Sequence, residues 1–328
     1  MKLRPPSFWN SAQPGVTATM LSPFEGITRI LGQRRLKHPS HHVAVPVLCC
    51  GNISVGGTGK TPLVLHLVRL LQERGHNPHI ITRGYGGKQR HWHRVNPDQH
   101  HAIDVGDEAL LLAQHAPTWR GNDRRLSADS AIAHGADCLV LDDGLQDPAL
   151  HKDFSILTLD GSVGLGNGHL LPAGPLRERL PDVVSRVHNV VIFGEDTCNI
   201  AHQLPRDLPI NYAHFSPGPE IRSLAGRQCI AFAGIGRPEK FFTMLRDMGL
   251  NIIRALPFPD HHNYTRKDIR LLTQLAHAPG TSLVTTEKDA VKLPQHFKRH
   301  VTVINIDIFW YDHNAPNLIL DRFFENSV

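Results

Sequence analysis

The sequence predicts an α/β fold, a mostly parallel sheet with helices on both faces, followed by a smaller α/β C-terminal domain. Two observations predict it. Short runs that stay apolar without alternation, at 43–50, 78–82, 138–141, 154–159 and 190–193, read as strands buried on both faces. Each run ends in a loop rich in Gly, Asp or Arg, and helical patterns follow several of them, which is the strand–loop–helix alternation of a parallel sheet. In such sheets the functional loops lie at the carboxyl ends of the strands. A length of 328 residues suits two domains.

The first 42 residues form a basic N-terminal segment. Of 35 basic and 30 acidic side chains, six basic ones (Lys2, Arg4, Arg29, Arg34, Arg35 and Lys37) and one acid (Glu25) fall before residue 48, leaving 29 of each in the remainder. The whole formal excess of +5 therefore sits at one end. Ser22-Pro23-Phe24-Glu25 reads as a helix start, with Ser22 as cap, Pro23 in the first turn and Glu25 completing a capping box. Leu21, Phe24, Ile27 and Leu31 then share one apolar face among basic residues. This amphipathic helix suits either an anionic bilayer surface or packing on its own domain. No run of eighteen apolar residues occurs, and the N-terminus lacks the pattern of a signal peptide, so the expected location is the cytoplasmic side. The five cysteines lack paired metal-site spacing and read as reduced thiols.

Residues 43–222 form the core domain. The strand at 43–50 leads into Ser54-Val55-Gly56-Gly57-Thr58-Gly59-Lys60-Thr61 and then a helix near 60–74, the context a P-loop requires. Its glycines let main-chain amides converge on phosphate oxygens, Lys60 reaches the β- and γ-phosphates, and the Thr61 hydroxyl suits Mg²⁺. Ser54 stands where the strict pattern has Gly. The run 139–141 ends at Asp142-Asp143, where a P-loop NTPase-type fold holds its magnesium. ATP and Mg²⁺ are thus the expected ligands. A helix is expected over 107–115, opened by Asp107 as its cap. Pro217-Gly218-Pro219 marks a boundary. The second domain, 223–328, carries strands at 229–233, 251–256 and 282–285, helices at 238–248 and 266–277, and a returning strand at 301–308.

The segment 51–62 resembles the P-loop of the tetraacyldisaccharide 4′-kinase (lipid A 4′-kinase) family. So, in order, do Arg83-Gly84-Tyr85-Gly86-Gly87, Gly106-Asp107-Glu108, Asp142-Asp143-Gly144-Leu145-Gln146, Gly166-Asn167-Gly168, Leu171-Pro172-Ala173-Gly174-Pro175-Leu176-Arg177-Glu178, Asp260-His261 and Thr286-Glu287-Lys288-Asp289-Ala290-Val291-Lys292, covering roughly residues 20–295. The resemblance implies ATP-dependent phosphorylation of the 4′-hydroxyl of a tetraacylated glucosamine disaccharide, giving lipid IVA. It also implies an N-terminal helix on the inner face of the cytoplasmic membrane, and a smaller domain that closes the cleft. By resemblance Asp107 is the base, with His261 orienting it and raising its basicity. Arg177 would lie near the phosphates and Glu178 near the magnesium waters. The chain departs from the family at Asp147, where His is usual, and at Ala109, where Pro is usual.

Two other classes share the phosphate loop: a kinase for another hydroxylated metabolite and a partner-binding ATPase switch. Guanine recognition by Asn-Lys-x-Asp has no counterpart, Glu287-Lys288-Asp289 differing in residue and spacing. The small, terminal basic excess argues against nucleic acid, and no obligate protein partner is evident.

Overall fold

The computed structural model describes residues 6–10, 15–88, 91–276 and 280–327; Lys2 and Arg4 of the basic segment lie outside them. Among the described residues thirteen strands form two sheets. They are β1 (Val47–Gly51), β2 (Pro78–Thr82), β3 (His93–Arg94), β4 (Thr118–Arg120), β5 (Cys138–Asp142), β6 (Phe154–Asp160), β7 (Asn189–Phe193), β8 (Ile210–Pro217), β9 (Gln228–Ala233), β10 (Asn251–Pro257), β11 (Thr281–Thr286), β12 (Val301–Ile304) and β13 (Ile306–Trp310). The large sheet has the order β13-β8-β7-β6-β1-β5-β2-β4-β3, and the small one β10-β9-β11-β12. Seven strands of the large sheet are parallel, and only its two edges, β13 and β3, run antiparallel.

Alternate residues of β1 explain why the sheet is apolar throughout. Val47 and Cys49 point into one core with Leu139, Leu141 and Leu157. Leu48 and Cys50 point into the other, against Leu63, Leu67 and Leu71 of the helix Lys60–Glu73. Both faces are covered, so neither alternates with polar residues. The five cysteines are free thiols.

The domain division differs from the sequence expectation of one unit over 223–328. The small sheet ends at Ile304, and the expected strand over 301–308 is split at Asn305 between two sheets. Strand β13 returns to the large sheet beside β8, and the helix Ala315–Glu325 buries Ile319, Leu320 and Phe323 in the core that also holds Leu63 and Leu67. The physical reason is pairing: without β13, β8 would expose an open edge, and without the helix that follows, this face of the core would be uncovered.

The N-terminal capping box is also corrected. The chain is already helical over Val16–Leu21, Ser22–Phe24 forms a 3-10 turn, and the second helix spans Glu25–Leu36. Ser22 Oγ donates to the Thr19 carbonyl instead of capping. Glu25 turns to the 166–172 loop, 2.5 Å from His169 Nδ1 and accepting from the Leu170 amide at 3.1 Å, and Thr28 Oγ1 donates to the Leu171 carbonyl at 2.6 Å. Docking is therefore polar, and Phe24, Ile27 and Leu31 are exposed together with Val16 and Met20.

Phe323 is fully buried under the large sheet although it lies at the far end of the chain. Phe323→Ala is expected to cost about 3–5 kcal/mol in urea unfolding. A loss below about 1 kcal/mol would contradict the placement of the C-terminal helix in the core that holds Leu63 and Leu67.

Candidate active site

Strand β1 lies between β6 and β5, so the loop after it emerges flanked by the carboxyl ends of both neighbours. The loop is pinned from below. Thr58 Oγ1 lies 3.0 Å from Thr158 Oγ1, which donates to the Gly51 carbonyl at 3.1 Å. Asn52 Nδ2 contacts the Gly56 carbonyl at 3.4 Å, and Gln146 donates to the Asn52 carbonyl at 2.9 Å. Gly59 caps the helix Lys60–Glu73 with φ +84°, and a Cβ there would come within 2.4 Å of the Phe215 ring. Glycine is required at that point on both counts. Ser54 bridges Leu176, and the Val55 amide donates to the Pro175 carbonyl at 2.8 Å. Val55, expected among the phosphate donors, is therefore corrected: its amide holds the 175–178 segment, leaving residues 56–61 to offer theirs.

Asp142 and Asp143 end β5 beside this loop. Lys60 Nζ lies 3.8 Å from Asp143 Oδ1, and Arg177 Nη1 donates to the same carboxylate at 2.9 and 3.1 Å. Arg177 thus shares Asp143 with Lys60, beside the phosphate loop. Asp142 is buried, with Oδ1 lacking any hydrogen-bond partner. Burial, then the charges of Glu108 and Asp143, push its carboxyl up to about 7 against the pull of Lys60 and Arg124. A buried, unsatisfied carboxylate next to the first turn that carries Thr61 fits a hard divalent cation. Among the described residues no three carboxylate, His or Cys side chains converge to hold a metal ion, so phosphate oxygens and water would complete its shell.

Glu178 is buried on the same loop. Its Oε2 accepts from Arg186 Nη2 at 2.5 Å, while Arg177 turns to Asp143. The other oxygen, Glu178 Oε1, is buried without a hydrogen-bond partner, so this carboxylate is only half satisfied by Arg186. Arg124, not foreseen from the sequence, is buried beneath the pair and donates to the Asp143 carbonyl at 2.8 Å. A Cβ on Gly144 would lie 2.7 Å from that guanidinium.

Asp107 and His261 meet across the two domains. His261 Nδ1 lies 2.7 and 2.8 Å from the two carboxylate oxygens, and opposite an ionised carboxylate it is the donor. Asp107 is buried, which by itself would raise its pKa, yet the His261 hydrogen bond and the charges of Lys288 and Lys292 hold it well below the usual range. The expectation that His261 raises its basicity is thus reversed, since a donated hydrogen bond stabilises the anion. Glu108 accepts from Lys288 at 2.9 Å. A small cavity opens above the pair, lined by Tyr85, Gly86, Gly106, Asp107, His261 and Asn263. A larger cavity lies elsewhere, between residues 93–100 and 113–117, and contains none of these groups. Asp147 serves as an anchor: it accepts from Arg83 at 2.7 Å and lies 3.4 Å from Arg124 Nε.

The Asp142 carboxyl holds its proton more tightly in the folded than in the unfolded chain. Its contribution to stability therefore falls as pH rises from about 4 towards 7. In magnesium-free buffer Asp142→Asn is expected to melt above the parent protein at pH 8, with the gap narrowing markedly by pH 5. Equal gaps at both pH values in thermal unfolding would refute the assignment.

Comparison with known proteins gives the family. The family model described as tetraacyldisaccharide-1-P 4′-kinase matches residues 17–324. A Gluconobacter oxydans (strain 621H) protein described as tetraacyldisaccharide 4′-kinase is 54% identical over 327 residues, spanning 100% of both chains. One from Gluconacetobacter diazotrophicus, with the same description, is 44% identical over 322 residues, 98% of each. The crystal structure of LpxK from Aquifex aeolicus in complex with ATP superposes with a TM-score of 0.76 at 25% identity, covering 94% of this chain and 99% of that one. The chain therefore belongs to the tetraacyldisaccharide-1-P 4′-kinase family.

Proposed function

We propose that the chain transfers the γ-phosphate of ATP to the 4′-hydroxyl of a tetraacylated glucosamine disaccharide 1-phosphate, giving lipid IVA in lipid A biosynthesis. The observation that carries the residue roles is the Asp107–His261 contact. It sets an ionised, buried carboxylate beside a cavity, close enough in the fold to the phosphate loop that Glu108, its neighbour, raises Asp142.

The amides of residues 56–61 and Lys60 grip the triphosphate, and Arg177 adds charge on the same side. Asp107 accepts the proton of the attacking hydroxyl, with His261 orienting it. Thr61 and Asp142, rather than the already paired Asp143, would hold magnesium, which would supply neutralisation of developing phosphate charge. Arg83 and the 84–87 glycines line the acceptor side. The base pair forms between a core residue and one from the small domain, so cleft closure assembles it.

The chain's location on the cytoplasmic face of the inner membrane, as a peripheral protein, is part of the same proposal. It is supported by the exposed face of Val16, Met20, Phe24, Ile27 and Leu31, flanked by Arg29, Arg34 and Lys37. No helix among the described residues is long and apolar enough to cross a membrane.

Two measurements test these readings. With labelled ATP and the tetraacyl disaccharide in detergent micelles, Asp107→Ala is expected to lower kcat about 10²–10⁴-fold while ATP affinity holds. Lys60→Ala is expected to abolish transfer, and unchanged turnover in the Asp107 variant would remove it as the base. For the membrane, replacing Phe24, Ile27 and Leu31 together by Ser is expected to release the protein from anionic vesicles in co-sedimentation. Undiminished binding would exclude this face.

A further inference from the structure

The Thr286–Lys292 block holds a lysine that the reaction scheme above does not use. The Lys292 side chain is 1% exposed, which is rare for an ammonium group. Its Nζ lies 2.8 Å from Asp289 Oδ1, 3.7 Å from Asp107 Oδ2 and 3.4 Å from the Gly234 carbonyl, with the Tyr264 ring centroid 5.7 Å away. Asp289 is fully buried, and neutral donors already serve it: the Gly234 amide at 3.0 Å, Tyr264 OH at 2.9 Å and Thr286 Oγ1 at 2.8 Å. Asp289 and Lys292 thus form a prearranged ion pair within the small domain whose remaining attraction is directed at Asp107.

The same carboxylate fixes two contacts with the core. Through Gly234 it sets the start of the 234–237 loop, in which a Cβ on Gly236 would lie 3.8 Å from the Gly57 amide and Arg237 donates to Asp160 at 2.7 Å. Through Lys292 it sets the distance to Asp107. One buried group therefore relates the loop facing the phosphate site to the base.

We propose that Lys292 is a positioning residue for phosphoryl transfer: seated on Asp289, it fixes the Asp107 carboxylate as an anion when the small domain meets the core. The proposal rests on Asp107 being the base. Groups facing Asp107 are His261, Lys288 and Lys292 from the small domain and Glu108 from its own helix, with Asp289 behind Lys292. Lys288 differs from Lys292 in being partly exposed and bonded to Glu108.

The test compares full-length Lys292→Met, similar in length but uncharged, with Lys292→Arg. Turnover is followed against pH at saturating ATP, with KM for ATP and the melting temperature measured alongside. Lys292→Met is expected to lower kcat about ten- to a hundredfold with KM for ATP within about twofold. Its acid limb is expected to move to higher pH, because a cation favouring the Asp107 anion has gone. Lys292→Arg is expected to keep the limb near its original position. A folded Lys292→Met with the parental acid limb overturns the proposal, whether or not kcat falls, since a purely structural role leaves the limb in place. Should that variant fail to fold, Lys292→Met/Asp289→Asn, which removes both buried charges, carries the same expectations and the same overturning result. Asp107→Ala run in parallel separates the two readings. If it retains turnover, the base assignment fails. If it loses turnover while Lys292→Met keeps the parental profile, only the role of Lys292 fails.

Discussion

Four carboxylates follow one another from the domain boundary to the end of β5, each in the field of the next, and compensating them governs the architecture around the site. Asp107, Glu108, Asp142 and Asp143 are coupled by their charges, and Asp142 cannot be comfortably ionised among the others. In a partly dehydrated cleft such a group of like charges needs cations close by. The core supplies Lys60 and Arg177 on one flank. The other flank is supplied by the small domain, through His261, Lys288 and Lys292. The second domain is thus held to the first by charge as much as by shape. Asp160, at the end of β6, repeats the arrangement by taking Arg237 and Lys240 at 2.7 and 2.6 Å.

The strand order β6-β1-β5-β2 makes this arrangement possible. It places Asp160, the phosphate loop, the Asp142–Asp143 pair and the Arg83 loop side by side, although more than seventy residues separate the first two in sequence from their neighbours on the sheet. Parallel strands send all four loops out of the same edge, so one fold decision brings the groups together. Arg124 fastens the middle of this row by bonding main-chain carbonyls beneath Asp142 and Asp143, so the acidic turn rests on a buried guanidinium.

The N-terminal helix inverts the usual pattern of a soluble helix. Its polar residues Glu25 and Thr28 face the protein and bond the 166–172 loop, while its apolar row faces outward. Trp9 extends the attachment, donating to the Pro172 carbonyl at 3.1 Å. The same loop leads directly to Arg177 and the bridge with Ser54. The helix and the phosphate site consequently lean on one connecting segment.

The sequence by itself determined the local structure. Apolar runs of four to eight residues became strands because both their faces are covered, and the glycine loop before Lys60 became a phosphate loop because its conformation depends on glycines that are neighbours in the chain. The pairing of Asp107 with His261 was reached only through the family resemblance, since 154 residues separate them. Tertiary structure alone decided which side chain meets which. A run such as Ile306–Trp310 carries no local mark of the sheet it will join, and its pairing with β8 depends on an edge formed about ninety residues earlier. Glu178 turned to Arg186, the Val55 amide to Pro175, and Lys292 to Asp107 for the same reason. Backbone preference is set within a few residues, whereas the energy of a buried charge or amide depends on distances through space that only the packed chain fixes.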